Sequence, residues 1–379
     1  MRSSHGDKSH LAATPTQSDH ERDAIFWVLA LMVHQTSGIA MDLIGKHTVD
    51  GWQVVEKVEF GDDHTGGHFS SCFFVEKAGK RAFLKALDIE KFDVSVLGEL
   101  LAQFEYETTL VQVCRDKRLR RIVQVLDAGT IEREHAVVVL RRVPYLVFEI
   151  ADEGDIRSSV DVSNAVPDRW RFSILHQTAL ALLQLHKEAI AHQDLKPSNV
   201  LVFAGEMLKL GDLGRSSRRG VPAPHDGFAV AGARKYAPFE QRYSFQVSDW
   251  IERRLTTDVF HLGCLAVYVF TNVVFPECVM EKLPDPYKPE AWGGSYAEVL
   301  PHIQAAFYES VEQVSKGFPE RSRDEMQQMI VDLCNPDPAK RGRGALAANA
   351  SPDLLWLQRF ASRFDALEKA SRLRTKTNA

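Results

Sequence analysis

Cysteine is scarce in this sequence. Five stand among 379 residues, at Cys72, Cys114, Cys264, Cys278 and Cys334, and no two form C-x-x-C. An odd, scattered set excludes a disulfide framework and a thiolate zinc site, and it fits the reduced thiols of a cytoplasm. The fourteen histidines form no H-E-x-x-H, and His64 and His68 flank a glycine pair without further ligands, so they read as polar loop. Long apolar runs are also missing near the start. "AIFWVLALMV", residues 24–33, is the longest early one. It is about half the roughly 20 residues that a membrane-spanning helix needs. Its flank "SDHERD" is mixed, not the basic flank of a signal peptide. The run reads as a helix packed on the domain, with a partner or membrane-surface contact as the alternative, and no transmembrane segment is expected. Positive charge is not in excess either. A net charge of −5 and a pI near 6.3 exclude a general nucleic-acid binder. No internal repeat is visible.

What remains is ordinary globular composition, 45% hydrophobic and 26% charged, long enough for one large domain or two medium ones. Residues 1–22 are polar and read as a disordered tail, and residues 23–50 as an apolar helical extension. From Gly51 short β-rich runs follow: "GWQVVEKVEF", "SSCFFVEKAGKRAFLKALD" with a turn at Gly79, "RIVQVLDAGTI", "HAVVVLRR" and "YLVFEI". One helical stretch, 94–114, interrupts them. Its Val96, Leu97, Leu100, Leu101, Phe104, Leu110 and Val111 recur at helical steps. After Gly154 helices dominate, near 169–186, 256–272, 297–314, 322–333 and 353–370. The strands "NVLVF" and "MLKLGD" lie among them, and residues 366–379 close the chain as a basic tail. The layout is α+β: a small β-rich lobe with one main helix, 51–150, then a larger helical lobe, 151–365, with a hinge near 149–155.

Two loops carry the chemistry. "AHQDLKPSNVLVF", 191–203, holds Asp194, Lys196 and Asn199, and "KLGDLG", 209–214, holds Asp212. Two carboxylates and an amide at strand-bounded loops offer hard oxygen ligands, which suit Mg²⁺ bound together with substrate phosphates. Phosphoryl transfer further needs a carboxylate to accept the proton of the attacking hydroxyl, a cation on the phosphates and a backbone cover.

With these residues the chain resembles the eukaryotic-type serine/threonine protein kinase family over residues 51 to 345. "HQDLKPSN" resembles its catalytic loop and "GDLG" its metal-binding D-F-G. The resemblance implies a bilobal kinase fold, ATP as substrate, Mg²⁺ or Mn²⁺ as cofactor and a protein as acceptor. It implies that Asp194 is the catalytic base, that Lys196 neutralises the γ-phosphate, and that Asn199 and Asp212 hold the metal. Lys85 in "AFLKALD" resembles the lysine that grips the α- and β-phosphates, and Glu107 its helix partner, with Glu105 as the other candidate. Gly66, Gly67 and Phe69 would cover the phosphates. Glu149 and Ala151 would meet adenine through their backbones, Phe148 would guard the pocket, Leu201 would floor it, and Asp155 would reach the ribose. Asp258 would brace the catalytic loop, and Glu240 of "YAPFE" would pair with Arg341.

The departures from the pattern are specific. "TGGHFS", 65–70, carries Thr65 and Ser70 where outer glycines belong. Phe83 replaces the small residue two before Lys85, Ala233 replaces a threonine near Asp194, and Gln193 replaces the arginine before Asp194. A nucleotide-holding pseudokinase and a small-molecule kinase on a related fold are the alternatives. Because Gln193 is neutral, the unphosphorylated chain is expected to be active already, with gating through the helix that carries Glu107.

Overall fold

The computed structural model describes residues 40–59, 70–88, 92, 94–133, 141–161, 166–342 and 355–377. The expectations for residues 1–22 and 24–33, for the run 135–140, and for Gly66, Gly67 and Phe69 lie outside the described residues.

The first lobe is a five-stranded antiparallel sheet in the order β1-β2-β3-β5-β4. Its strands are β1 (Gln53–Lys57), β2 (Ser70–Lys77), β3 (Lys80–Leu87), β4 (Val125–Glu132) and β5 (Arg142–Phe148). Alternation drives the pairing: Phe73, Val75, Ala82, Leu84 and Ala86 are buried on β2 and β3. The β2–β3 turn needs positive φ at Ala78 and Gly79, which glycine adopts without strain. Pro144 sits in β5 opposite Thr130, beyond the part of β5 that pairs with β3, so its missing N–H breaks no bond on that side.

The lobe begins earlier than residue 51. A short helix α1 (Ala40–Leu43) and the following turn are stitched onto β4 and β5. Thr48 Oγ1 donates to the buried Asp127 at 2.5 Å, and Tyr145 OH donates to the same carboxylate at 3.0 Å. The N–H of Val49 donates to Tyr145 OH at 2.9 Å. Residues 40–50 therefore belong to the sheet's surface rather than to a separate extension.

Helix α2 (Val94–Asp116) packs on the sheet. Leu97, Leu100, Phe104, Glu107, Val111 and Cys114 are buried at steps of three and four residues along one face, with Leu110 buried beside them. Glu107 falls on that inward stripe and Glu105 on the exposed one.

The second lobe is helical. α3 (Ile156–Ser159) follows the connection from β5, and α4 (Asp168–Lys187) forms its spine. Trp170, Ile174, Leu175, Leu182 and Leu185 are buried at the spacing the sequence shows. β6 (Ile190–Ala191), β7 (Val200–Phe203), β8 (Met207–Leu210) and β9 (Ser217–Arg218) form two short ribbons, β6–β9 and β7–β8. Then come α5 (Phe239–Arg242), a π-turn at Ile251–Leu255, α6 (Thr256–Thr271), α7 (Phe275–Lys282), α8 (Tyr296–Ser315), α9 (Arg323–Leu333) and α10 (Leu355–Thr377). A capping box between Ser295 and Glu298 starts α8. Among the described residues no single helix is long and apolar enough to cross a membrane.

The basic tail needs correction. Residues 366–377 continue α10 instead of fraying. Its Leu357, Phe360, Ala361 and Phe364 are buried, and α10 lies along α4. Lys369 and Arg372 each reach back four residues, to Asp365 and Glu368, so the basic end is paired along its own helix.

Candidate active site

Three charged side chains meet between the lobes. Lys85 leaves β3 opposite Leu146 of β5, and its Nζ donates to both carboxylate oxygens of Glu107, at 2.8 and 2.9 Å. The same ammonium lies 3.3 Å from Asp212 Oδ1. Burial alone would lower Lys85, but Asp212 and Glu107 together outweigh it and hold the group well above the ordinary lysine range. Lys85 pulls Asp212 well below the ordinary carboxylate range, against its burial, and Lys196 adds to that pull. Burial pushes Glu107 up, and Lys85 only partly offsets this. A lysine that stays cationic beside an aspartate that stays anionic is a fixed charge pair ready for a polyanion. The crowding explains Gly214: a β-carbon there would stand 3.2 Å from Glu107 Oε2 and 3.3 Å from Asp212 Oδ1.

The loop between β6 and β7 holds the second group. Asp194 is buried, and its Oδ2 accepts from Lys196 Nζ at 2.9 Å. Its Oδ1 accepts from the backbone N–H of Ala233 at 2.8 Å. Its carbonyl accepts from Asn199 Nδ2 at 2.8 Å. With the Asn199 nitrogen so engaged, its amide oxygen, which accepts only a long 3.5 Å bond from Ser198 Oγ, has room for a further partner. The N–H of Gly211 donates to the Asn199 carbonyl at 2.9 Å, which ties the Asp212 loop to the Asn199 turn. The donor set of Asn199 Oδ1 and the Asp212 carboxylate is hard oxygen, and it fits a divalent cation.

A buried carboxylate carries the loop from below. Asp258 of α6 accepts from the N–H groups of His192 and Gln193, both at 2.7 Å, and lies 2.8 Å from His186 Nε2. Arg341 and Glu240 form a two-pronged pair at 2.8 and 2.7 Å.

At the connection after β5, Phe148 is half-buried at the strand's end. The Glu149 side chain turns away to Lys209 Nζ, 2.6 Å from each oxygen, and its N–H donates to Gln124 O at 3.0 Å. Among the described residues the Glu149 carbonyl and the Ala151 N–H have no hydrogen-bond partner. That leaves an acceptor and a donor for a planar base. Leu201 lies on β7, bridged to Asp155. Both oxygens of Asp155 are engaged with Arg157, which donates its N–H and Nε at 2.9 Å and a terminal nitrogen at 2.8 Å. A ribose contact there has to share them. Phe83 and Phe148 are direct cross-strand partners, both half-buried, so their side chains leave the sheet on the same face.

Sequence reasoning missed three features. The Lys209–Glu149 pair fixes the connection. The Ala233 backbone N–H holds Asp194 Oδ1 although position 233 offers no hydroxyl. Arg254 donates to Gln193 Oε1 at 2.6 Å from 61 positions away. None has a local signal, because each partner is a main-chain group or a residue distant in the chain.

A family model described as "Protein kinase domain" matches residues 66–350. An Aurora kinase of Debaryomyces hansenii is 27% identical over 159 residues, 41% of this chain and 37% of that protein. The serine/threonine-protein kinase PknB of Mycobacterium leprae is 26% identical over 153 residues, 40% of this chain and 23% of that protein. The serine/threonine-protein kinase SBK1 of Danio rerio is 34% identical over 108 residues, 23% of this chain and 28% of that protein. The matched region thus spans well under half the length of each of these relatives. The family implies ATP as substrate and a divalent metal. With most of its length inside the matched model, the chain belongs to the protein kinase domain family.

Proposed function

We propose that this chain transfers the γ-phosphoryl group of ATP to serine or threonine hydroxyls of proteins, with Mg²⁺ or Mn²⁺ as the metal. The observation that carries this reading is the joint geometry of Lys85, Glu107 and Asp212 beside an Asp194 held on both oxygens. Asp194 orients the acceptor hydroxyl and takes its proton as oxygen bonds to the γ-phosphorus. The bond from phosphorus to the bridging oxygen breaks, and ADP leaves with that electron pair. Lys196 is held cationic by Asp194 against its burial, and it offsets charge on the transferred group. Lys85 grips the remaining phosphates, and Glu107 keeps its ammonium pointed at them. Asn199 and Asp212 would hold the divalent cation, which supplies charge neutralisation on the phosphate oxygens. Lys196 in "DLKPSN" and the names of the relatives support hydroxyl amino acids as acceptors.

The second reading, a nucleotide-holding module with little transfer, is favoured by bulky Phe83, two residues before Lys85, standing across the strands from Phe148. One assay separates them. Labelled γ-phosphate should appear on protein serine or threonine and vanish in excess chelator. Nucleotide binding without any labelled acceptor would favour the module, and equal transfer in chelator would sink the metal assignment. None of the five cysteines is in a disulfide and all are buried, which supports a cytoplasmic location, testable by fractionation.

A further inference from the structure

Gln193 is the residue before Asp194, and it has φ 61°, a backbone state that a non-glycine residue holds only under constraint. The constraint is visible. Its Nε2 donates to Arg215 O at 2.9 Å and to Ser217 Oγ at 2.7 Å, and its Oε1 accepts from an Arg254 guanidinium nitrogen at 2.6 Å. The other terminal nitrogen of Arg254 donates to Asp226 Oδ1 at 2.8 Å and to Asp226 O at 3.3 Å. Asp226 Oδ2 accepts from the Ala223 N–H at 2.7 Å. Arg253 also donates to the carbonyls of Asp226 and Phe228. One carboxylate and one guanidinium thus join the segment after Asp212 to the residue that sets Asp194. The junction reaches α2 as well, because the N–H of Arg218 donates to Tyr106 OH at 3.0 Å.

We propose that Asp226 and Arg254 are positioning residues for catalysis: they supply, as a built-in ion pair acting through Gln193, the ordering of the 213–232 segment that a phosphate would otherwise provide. Charge and burial both favour this. A phosphorylated side chain orders a loop by giving arginines an anionic partner. Here Asp226 already is that partner for Arg254, and Gln193 carries the link onward as a neutral relay. Ser216 and Ser217 are not available for the role, being 0% and 1% exposed. Ser217 Oγ lies 3.5 Å from Asp226 Oδ1, so a phosphate there would meet a like charge. Burial lowers Arg254 to about 10, which leaves it cationic at neutral pH.

This inference rests on the proposed transfer activity, and its test separates the two. Phosphatase-treated natural chain, shown by mass spectrometry to carry no phosphate between residues 212 and 240, is compared with Asp226→Asn, Arg254→Met and Arg254→Lys. The natural chain should keep its activity. Asp226→Asn and Arg254→Met should lose about 30-fold in kcat with KM for ATP within about twofold, and Arg254→Lys should recover part of the loss. Both variants within about threefold of the natural chain, or loss of activity on phosphatase treatment alone, would overturn the proposal. If the natural chain transfers no phosphate to any acceptor, the functional reading falls. The latch is then read by amide hydrogen exchange: faster exchange across 213–232 in Asp226→Asn, whose isosteric change spares the fold, supports it, and unchanged exchange overturns it.

Discussion

Asp194 is positioned by a main-chain group that no side-chain pattern announces. Ala233 looks like a loss in the sequence, because a hydroxyl is missing beside Asp194 and Lys196. In the structure its backbone N–H, which does not depend on the side chain, still holds Asp194 Oδ1 at 2.8 Å. Gly232 makes the approach possible: a β-carbon there would stand 2.5 Å from Gln193 O and 2.7 Å from Asp194 Oδ1. Gly232→Ala should therefore push the aspartate from its place and lower kcat by about tenfold or more, with nucleotide affinity nearly unchanged. Steady-state kinetics beside nucleotide titration checks this, and an unchanged kcat would show that the contact is dispensable. That Asp194, Lys196 and Asn199 stand together was legible from one short loop, and Asp212 joins them through the β7–β8 ribbon, where the Gly211 N–H reaches the Asn199 carbonyl. Glu107 was legible over Glu105 because the apolar stripe of α2 selects it. Arg254 and Asp226 were not, since folding alone brings them to Gln193.

Element boundaries follow from periodicity where a helix has one buried face. The spans read for α2, α4, α6, α8 and α9 agree with the structure to within a residue or two at either end. The reading slips where charge stands in for periodicity. The end of α10 looks like a tail because Arg372, Arg374 and Lys376 crowd it, yet the i−4 pairs Lys369–Asp365 and Arg372–Glu368 lie within the helix. It slips again at β4, read from Arg121 but starting at Val125, because Ile122 pairs with Leu210 of the other lobe instead of with β5. Between elements, a buried two-pronged ion pair from Arg341 to Glu240 joins the α9–α10 connection to α5. Arg341 is fully buried, so Arg341→Met leaves a buried carboxylate without its partner. A loss of about 3–5 kcal/mol in unfolding free energy is expected. Chemical denaturation measures it, and a loss under about 1 kcal/mol would mean that Glu240 finds water or another donor.

The whole molecule carries a pH signature separate from its chemistry. His225 and His261 are buried, and burial is the main cause that lowers each from the ordinary 6.5 to about 4. The unfolded chain binds those protons near pH 6.5 and the folded chain only near pH 4. Stability is therefore full above about pH 6.5 and falls as pH drops toward about 4, by up to ~1.4 kcal/mol per pH unit for each histidine. Denaturation at a series of pH values should show this slope, and His225→Gln with His261→Gln should flatten it. Equal slopes would remove these histidines from the account. The central claim is that the two lobes assemble a phosphoryl-transfer site around Asp194. The most direct test is transfer of labelled γ-phosphate from ATP to a generic protein substrate by the natural chain and by Asp194→Ala. The account predicts transfer by the natural chain and a loss of about a hundredfold or more in the variant, near 2.7 kcal/mol in the barrier, with nucleotide binding retained. Equal transfer by the two chains, or none by the natural chain under any divalent metal, would contradict it.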